Sequence, residues 1–189
     1  YDRLDAVVVT AGPGLMGSLL IGLTAAKTIS YCFKLPLVGV DHVISHIFAN
    51  FYQDNWSIRP AVCLVVSGGH TSLFLIDENE NIQCIGRTID DAAGEAMDKI
   101  ARYLGLGYPG GPLIDNLSRK GSPEAVDFPR PMIRSTDYNF SFSGLKTYIK
   151  NIINVTELNK NNIENISYSM QETIIDTLFV KCFKAIEFY

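Results

Sequence analysis

The sequence predicts an α/β layered fold, and three observations carry that prediction. A short β-branched run, "DAVVVT", ends in the glycine turn "AGPG" and is followed from Ser18 to Phe33 by apolar residues at helical spacing. A second apolar run, "LPLVGV", leads directly into "DHVISHIFANFY", which reads as the next helix. Beyond Arg59 and Pro60 three strand-like runs follow one another without an intervening helix, so the architecture restarts there. The opening is therefore β-α-β-α, and a lobe boundary near Arg59 divides the chain into 1–59 and 60–189.

Each element of the second lobe has its own signal. "AVCLVVSGGHTSLFLID" reads as two strands joined at Ser67-Gly68-Gly69-His70, and "NIQCIGRTI" is a third after the turn "DENEN". "DAAGEAMDKIARYLGL" places Ala92, Ala96, Ile100 and Leu104 on one stripe and is a helix ended by glycines. "PGGPLIDNLSRKG" is a glycine turn opening a short helix. "NFSFSGLKTYIKNII" begins extended and becomes helical, and "NVTELNKNNIEN" is a polar loop. From Ile163 to Phe188 the spacing of Ile166, Met170, Ile174, Leu178 and Phe179 predicts one long amphipathic helix.

Composition removes several classes of function. With 189 residues, 47% hydrophobic and 19% charged, the chain is long enough to bury a core. No stretch approaches the roughly 20 uninterrupted apolar residues of a membrane span, and acidic residues stand where a signal peptide would carry positive charge, so the reading is cytoplasmic with no membrane partner. Cys32, Cys63, Cys84 and Cys182 are widely spaced, most of them in apolar runs, and indicate neither disulfides nor a zinc knuckle. Three Asn-x-Ser/Thr triplets, at Asn55, Asn154 and Asn165, are expected by chance in an asparagine-rich chain. A formal net charge of -4 gives no overall footprint for nucleic acid. Positive charge concentrates locally, at Arg119, Lys120, Arg130, Arg134, Lys146 and Lys150, where a solvated rim is the simpler account.

Three constellations carry potential chemistry. His42 and His46 stand four residues apart on one helical face at the C-terminal edge of a strand, where ligands bind in open α/β sheets. They could hold one ion between them, but two ligands are not a site, and Asp41 is the other candidate in that stretch, about a quarter turn away. Ser67-Gly68-Gly69-His70-Thr71 could converge backbone N–H groups on an anion, although a plain hairpin turn explains the same glycines. Asp90, Asp91, Glu95 and Asp98 crowd a helix start, where capping accounts for Asp90 or Asp91 and Asp98 would suit a ribose. Gly110, Gly111 and Asp115 offer a second close-approach turn with a carboxylate. Together the pieces look like a nucleotide cleft with a metal at one side.

These same stretches, "TAGPGLMGSLLIGLTAAKTIS", "DHVISH", "VVSGGHTSL", "DDAAGEAMDKIARYLGLGYPGGPLID" and "FSFSGLKT", resemble the tRNA adenosine threonylcarbamoyltransferase family, collinearly from Asp5 to about Lys146. The resemblance implies an actin-like fold of two lobes. It implies transfer of a threonylcarbamoyl group from threonylcarbamoyl-AMP to the exocyclic amine of the adenosine beside the anticodon, in tRNAs reading codons that begin with A. It implies His42 and His46 as ligands of one divalent metal ion, with iron the usual assignment and zinc or magnesium as alternatives. It also implies Val65, Val66, Ser67, Gly68, Gly69, Asp98, Gly111 and Asp115 as substrate-binding positions, and a companion paralogue and an ATPase as bacterial partners.

Two departures from the family pattern are visible. The glutamate usual between the two histidines is replaced within Val43, Ile44 and Ser45, which leaves both ligands intact. The family's first phosphate-binding turn and its final segment, with a substrate asparagine and a third, aspartate ligand, are not seen, since the last aspartate is Asp176 in the long helix. The 189 residues are therefore expected to be a central part of the enzyme, lacking transfer activity alone. Alternatives of other classes are a binding or assembly lobe, a metallopeptidase, disfavoured because "HVISH" lacks the glutamate of HExxH, and an actin-fold kinase, for which magnesium carboxylates cannot be assigned. No general base can be named, with His70 and His42 both conceivable.

Overall fold

The computed structural model describes residues 3–51, 59–123 and 125–189. Backbone contacts divide it into two compact units, Tyr1–Ser57 and Ile58–Tyr189. Tyr52, the expected end of the histidine helix, and Asn55 lie outside the described residues.

In the first unit β1 (Val7–Gly12) and β2 (Leu37–Asp41) pair in parallel, joined by α1 (Met16–Phe33), and β2 runs straight into α2 (His42–Ala49). Lys34 in the left-handed region closes α1, its N–H reaching the carbonyl of Ser30. Ala26, Val43 and Ile47 are buried, while Val8, Leu20, Ile21 and Val38 stay exposed, as a two-stranded sheet covers little surface. By length and composition α1 would also pass for a membrane span, contrary to the sequence reading. It lies against β1, with an added Cβ at Gly22 standing 4.0 Å from the Val9 side chain, while Ala26 is its one buried residue.

The second unit is built on an antiparallel meander, β3 (Ala61–Val66), β4 (Thr71–Ile76) and β5 (Ile82–Arg87), with four helices, α3 (Ala93–Tyr103), α4 (Gly110–Ser118), α5 (Ser143–Val155) and α6 (Lys160–Phe188). The predicted α3 stripe faces the core: Ala96, Ile100 and Leu104 cluster with Leu73, Phe140, Phe142, Ile149 and Met170, and Ala92, just before the helix, is also buried. β5 is extended by the segment around Phe140, whose N–H and carbonyl bond Arg87 and Ile89. Gly86 is required there, because a Cβ would stand 2.1 Å from the Tyr138 carbonyl oxygen.

Three expectations are corrected. The polar loop shrinks to residues 156–159, because Ile152 and Ile153 still pack on the core and Asn159 caps α6 by accepting from the Asn162 N–H. Phe179 is 63% exposed. It lies five residues beyond Ile174, roughly 140° around the helix, and Thr177, Lys181 and Ala185 take the buried side instead. Cys32 and Cys84 are exposed rather than packed, and all four thiols are free.

Candidate functional site

In the first unit the turn from β2 into α2 is set by Asp41, whose Oδ1 accepts from the N–H groups of Val43 and Ile44 at 2.8 and 2.9 Å. That carboxylate caps the helix, and it does not join the two histidines in a three-ligand group among the described residues. Val43 and Ile47 anchor the buried face of α2. On the outer face His42 and His46 converge, with Nε2 to Nε2 3.3 Å, ring centroids 4.6 Å apart and rings at 72°. Two imidazole nitrogens bound at about 2.0–2.1 Å to one tetrahedral ion would stand about 3.3–3.4 Å apart, so the pair fits a shared ion. In the metal-free chain the same distance suits one N–H donating to the other ring. Among the described residues no group of three or more His, Cys, Asp or Glu gathers as a complete site. A cavity of about 430 Å³ opens beside His42, lined by Thr10, Pro13, Gly14, Ser18 and Leu19 among others, a size in the range of small-molecule sites. Sequence reasoning passed over Thr10 and Ser18, whose place next to His42 follows only from the parallel pairing of β1 and β2.

In the second unit Val65 is half-buried and Val66 exposed at the end of β3, and the hairpin closes through the Ser67 N–H donating to the His70 carbonyl at 2.7 Å. The N–H groups of Gly69 and His70 both point to the Ser67 hydroxyl, at 3.3 and 3.0 Å. Without a ligand the turn thus satisfies itself, and an anion would have to displace that hydroxyl. The glycines sort into two kinds. A Cβ added at Gly68, Gly69 or Gly111 meets nothing within 4 Å, so these three face open space. At Gly94 it would lie 2.8 Å from the Ser67 carbonyl oxygen and 2.9 Å from Gly68 Cα, and at Gly110 2.7 Å from Asp98 Cα. Gly94 and Gly110 serve packing, the first by seating α3 under the Ser67–Gly68 turn.

Two carboxylates have structural work that spacing does not reveal. Asp98 Oδ1 accepts from the Gly110 N–H at 2.7 Å and so caps α4. Asp115 is bound on both oxygens, Oδ1 by the Gln171 amide at 3.2 Å and Oδ2 by Arg119 at 2.7 Å. Those bonds, Gln171 first and then Arg119, hold its pKa below the ordinary carboxylate value.

Asp90 and Asp91 do not cap α3. The Ala93 N–H is met instead by the buried Thr71 hydroxyl from β4, at 2.9 Å. Asp90 caps α5, accepting from Ser141 and Ser143 hydroxyls and from the Phe142 and Ser143 N–H groups. Asp91 pairs with Lys99 and Lys146, each at 2.7 Å. Of the concentrated cations, Lys146 is thereby engaged inside the fold, Arg119 on Asp115, Arg130 on Asp176, and Lys150 lies over the Tyr103 ring. Asp176 is thus an ion-pair partner in α6.

The family model described as tRNA N6-adenosine threonylcarbamoyltransferase matches residues 1–189. Among curated relatives of that name, the protein of Thermosipho africanus is 48% identical over 186 residues, which is 97% of this chain and 56% of the relative. That of Bacillus subtilis is 47% identical over 191 residues, covering 100% of this chain and 55% of the relative. The chain spans about half the length of the curated relatives it matches.

Proposed function

Because this chain belongs to the tRNA N6-adenosine threonylcarbamoyltransferase family, and with it to the actin-like α/β class, we propose that the protein transfers threonylcarbamoyl to tRNA. The donor in this reading is threonylcarbamoyl-AMP. The acceptor is the N6 amine of the adenosine beside the anticodon in tRNAs reading codons that begin with A. The amine nitrogen forms a bond to the carbamoyl carbon, the bond from that carbon to the phosphate oxygen breaks, AMP leaves with the electron pair, and the amine loses a proton.

His42 and His46 would hold one divalent metal ion, with iron, zinc and magnesium as the candidates. When bound, such an ion supplies Lewis acidity toward a carbonyl or phosphoryl oxygen. The chain's own residues provide binding and orientation. Val65, Val66, Ser67, Gly68 and Gly69 would form the strand end and turn against which the adenylate rests. Gly111 leaves room for close approach, and Asp98 and Asp115 are acceptors for nucleotide hydroxyls. A companion paralogue and an ATPase are the expected partners.

The observation that carries this reading beyond family membership is the 3.3 Å convergence of the His42 and His46 Nε2 atoms on an exposed helix face. The test is incorporation of labelled threonine into tRNA by the protein expressed from its complete coding sequence, with the adenylate-forming enzyme and the partners present. Incorporation that depends on both histidines is the expected result. Incorporation unchanged in a His42→Ala, His46→Ala double variant would remove the metal assignment, and no incorporation by the wild type would remove the activity.

A further inference from the structure

We propose that Gln171 is a positioning residue that fixes Asp115 as an acceptor for the hydroxyl groups of a bound nucleotide's ribose. The inference rests on the reading of Asp115 as a nucleotide-contacting residue and extends it to a residue on another helix. Gln171 lies on α6, 56 positions from Asp115, and its Nε2 donates to Asp115 Oδ1 at 3.2 Å. The flanking Met170 is buried in the core, so the amide is carried by a rigid segment rather than a surface loop.

The other end of the same amide shows what the arrangement favours. Gln171 Oε1 is buried with no hydrogen-bond partner among the described residues. A buried, unpaired amide oxygen costs free energy, and an apolar side chain of similar size would fill the space without that cost. Reversing the amide would point its oxygen at a carboxylate, so the orientation is the one Asp115 demands. What the glutamine contributes in return is the N–H on Asp115.

The second donor to Asp115 is of a different quality. Arg119 reaches Oδ2 from the next turn of the same helix, but its side chain is 71% exposed, where an ion pair holds geometry weakly. Gln171 is therefore the better anchored of the two. With one lone pair on each oxygen taken, the carboxylate presents its remaining lone pairs in fixed directions, which suits two neighbouring hydroxyl donors. The same bonds favour the charged form, which keeps Asp115 an acceptor on both oxygens.

The experiment compares affinities for AMP and 2′,3′-dideoxy-AMP in the protein expressed from its complete coding sequence. The variants are Asp115→Asn, Gln171→Met and, as a smaller truncation that admits water, Gln171→Ala. A hydroxyl bound to a charged acceptor corresponds to roughly tenfold or more in affinity, so wild type should prefer AMP by about that factor and Asp115→Asn should lose the preference. Both Gln171 variants are expected to lose most of it while binding dideoxy-AMP as wild type does. A purely structural glutamine would weaken both nucleotides alike and leave the ratio unchanged, which overturns the inference while the reading of Asp115 stands. A ratio unchanged in Asp115→Asn overturns that reading and the inference with it.

Discussion

Asp90 and Ser143 are joined twice: Asp90 Oδ1 accepts from the Ser143 N–H at 3.1 Å, and Oδ2 accepts from its hydroxyl at 2.8 Å. The two residues are 53 positions apart. With Ser141 and the Phe142 N–H on the same carboxylate, the start of α5 is pinned to the segment that enters α3. Next to it Asp91 draws Lys146 from the first turn of α5 and Lys99 from α3. Two stretches 51 to 53 positions apart in sequence are in this respect one structural joint.

Asp90→Ala should therefore destabilise the fold by about 1–2 kcal/mol, the usual loss for a helix cap. Burial raises the Asp90 pKa, and the bonds from Ser141, Phe142 and Ser143 together outweigh it, so the net shift is downward. A carboxylate depressed in the folded state contributes stability that is fully present above its unfolded pKa, about 3.9, and is lost as pH falls through the folded value. Thermal unfolding of wild type and variant should differ at pH 7 and converge in strong acid. A gap that stays constant down to pH 2 would count against the cap.

Lys181 leads to a second prediction. Its side chain is 0% exposed, and its ammonium donates to the Ser135 hydroxyl at 2.5 Å and the Asp137 carbonyl at 2.7 Å, which ties residues 135–137 to α6. Lys181→Met keeps the stem and removes the donor, leaving the Asp137 carbonyl without it while Ser135 keeps its bond to Asp137 Oδ1, so a loss of about 1–3 kcal/mol is expected in urea unfolding. Burial lowers the Lys181 pKa. The unfolded chain then binds more protons between the two values, so the stability of wild type relative to the variant should rise with pH in the range just below the ordinary lysine pKa. Equal unfolding midpoints would show that the loop is held by something else.

How far the sequence was legible follows from the distance over which each feature is decided. The α3 stripe and the His42–His46 pair are set by helical period within a few residues, and both are where that period puts them. Asp90, Thr71 and Gln171 are not readable in this way. Each acts on a partner 22 to 56 positions away, and no local pattern says which helix end or carboxylate an acidic, hydroxyl or amide group will meet. Spacing pointed to Asp98 as a ribose acceptor but not to its second task, accepting from the Gly110 N–H at the start of α4, which only the packing of α4 on α3 reveals. Phe179 fails for a related reason, since an apolar residue only a few steps off the stripe already faces outward.

Metal binding yields a third prediction. With two converging imidazoles, each nitrogen contributes half of the protein's chelation on α2, and a lone histidine does not hold a divalent ion tightly. His46→Ala should remove most of the bound metal, measured by elemental analysis of protein purified without a histidine tag. His42→Ala should do the same. Because His46 is exposed and its removal uncovers no core, the thermal midpoint of the metal-free protein should be unchanged within experimental error. Unchanged metal content in either variant would place the ion elsewhere.

The two kinds of glycine in the hairpin region make the sharpest contrast. Gly68 is part of the turn and Gly94 packs against it, and only Gly68 has room for a side chain. At Gly94 a new Cβ would meet the Ser67 carbonyl oxygen at 2.8 Å and Gly68 Cα at 2.9 Å, both backbone atoms that cannot swing away. Gly94→Val should therefore push α3 off the hairpin and lower stability by about 1–3 kcal/mol, as overpacking does. At Gly68 the same Cβ meets nothing within 4 Å, so Gly68→Val should unfold like wild type. If the turn supports a phosphate, the valine fills the space the anion needs, and AMP affinity should fall about tenfold or more while the unfolding curve stays put. Equal AMP affinity in wild type and Gly68→Val would make Ser67-Gly68-Gly69 a plain hairpin turn, already satisfied by its own serine, and the adenylate would have to rest against another part of the protein.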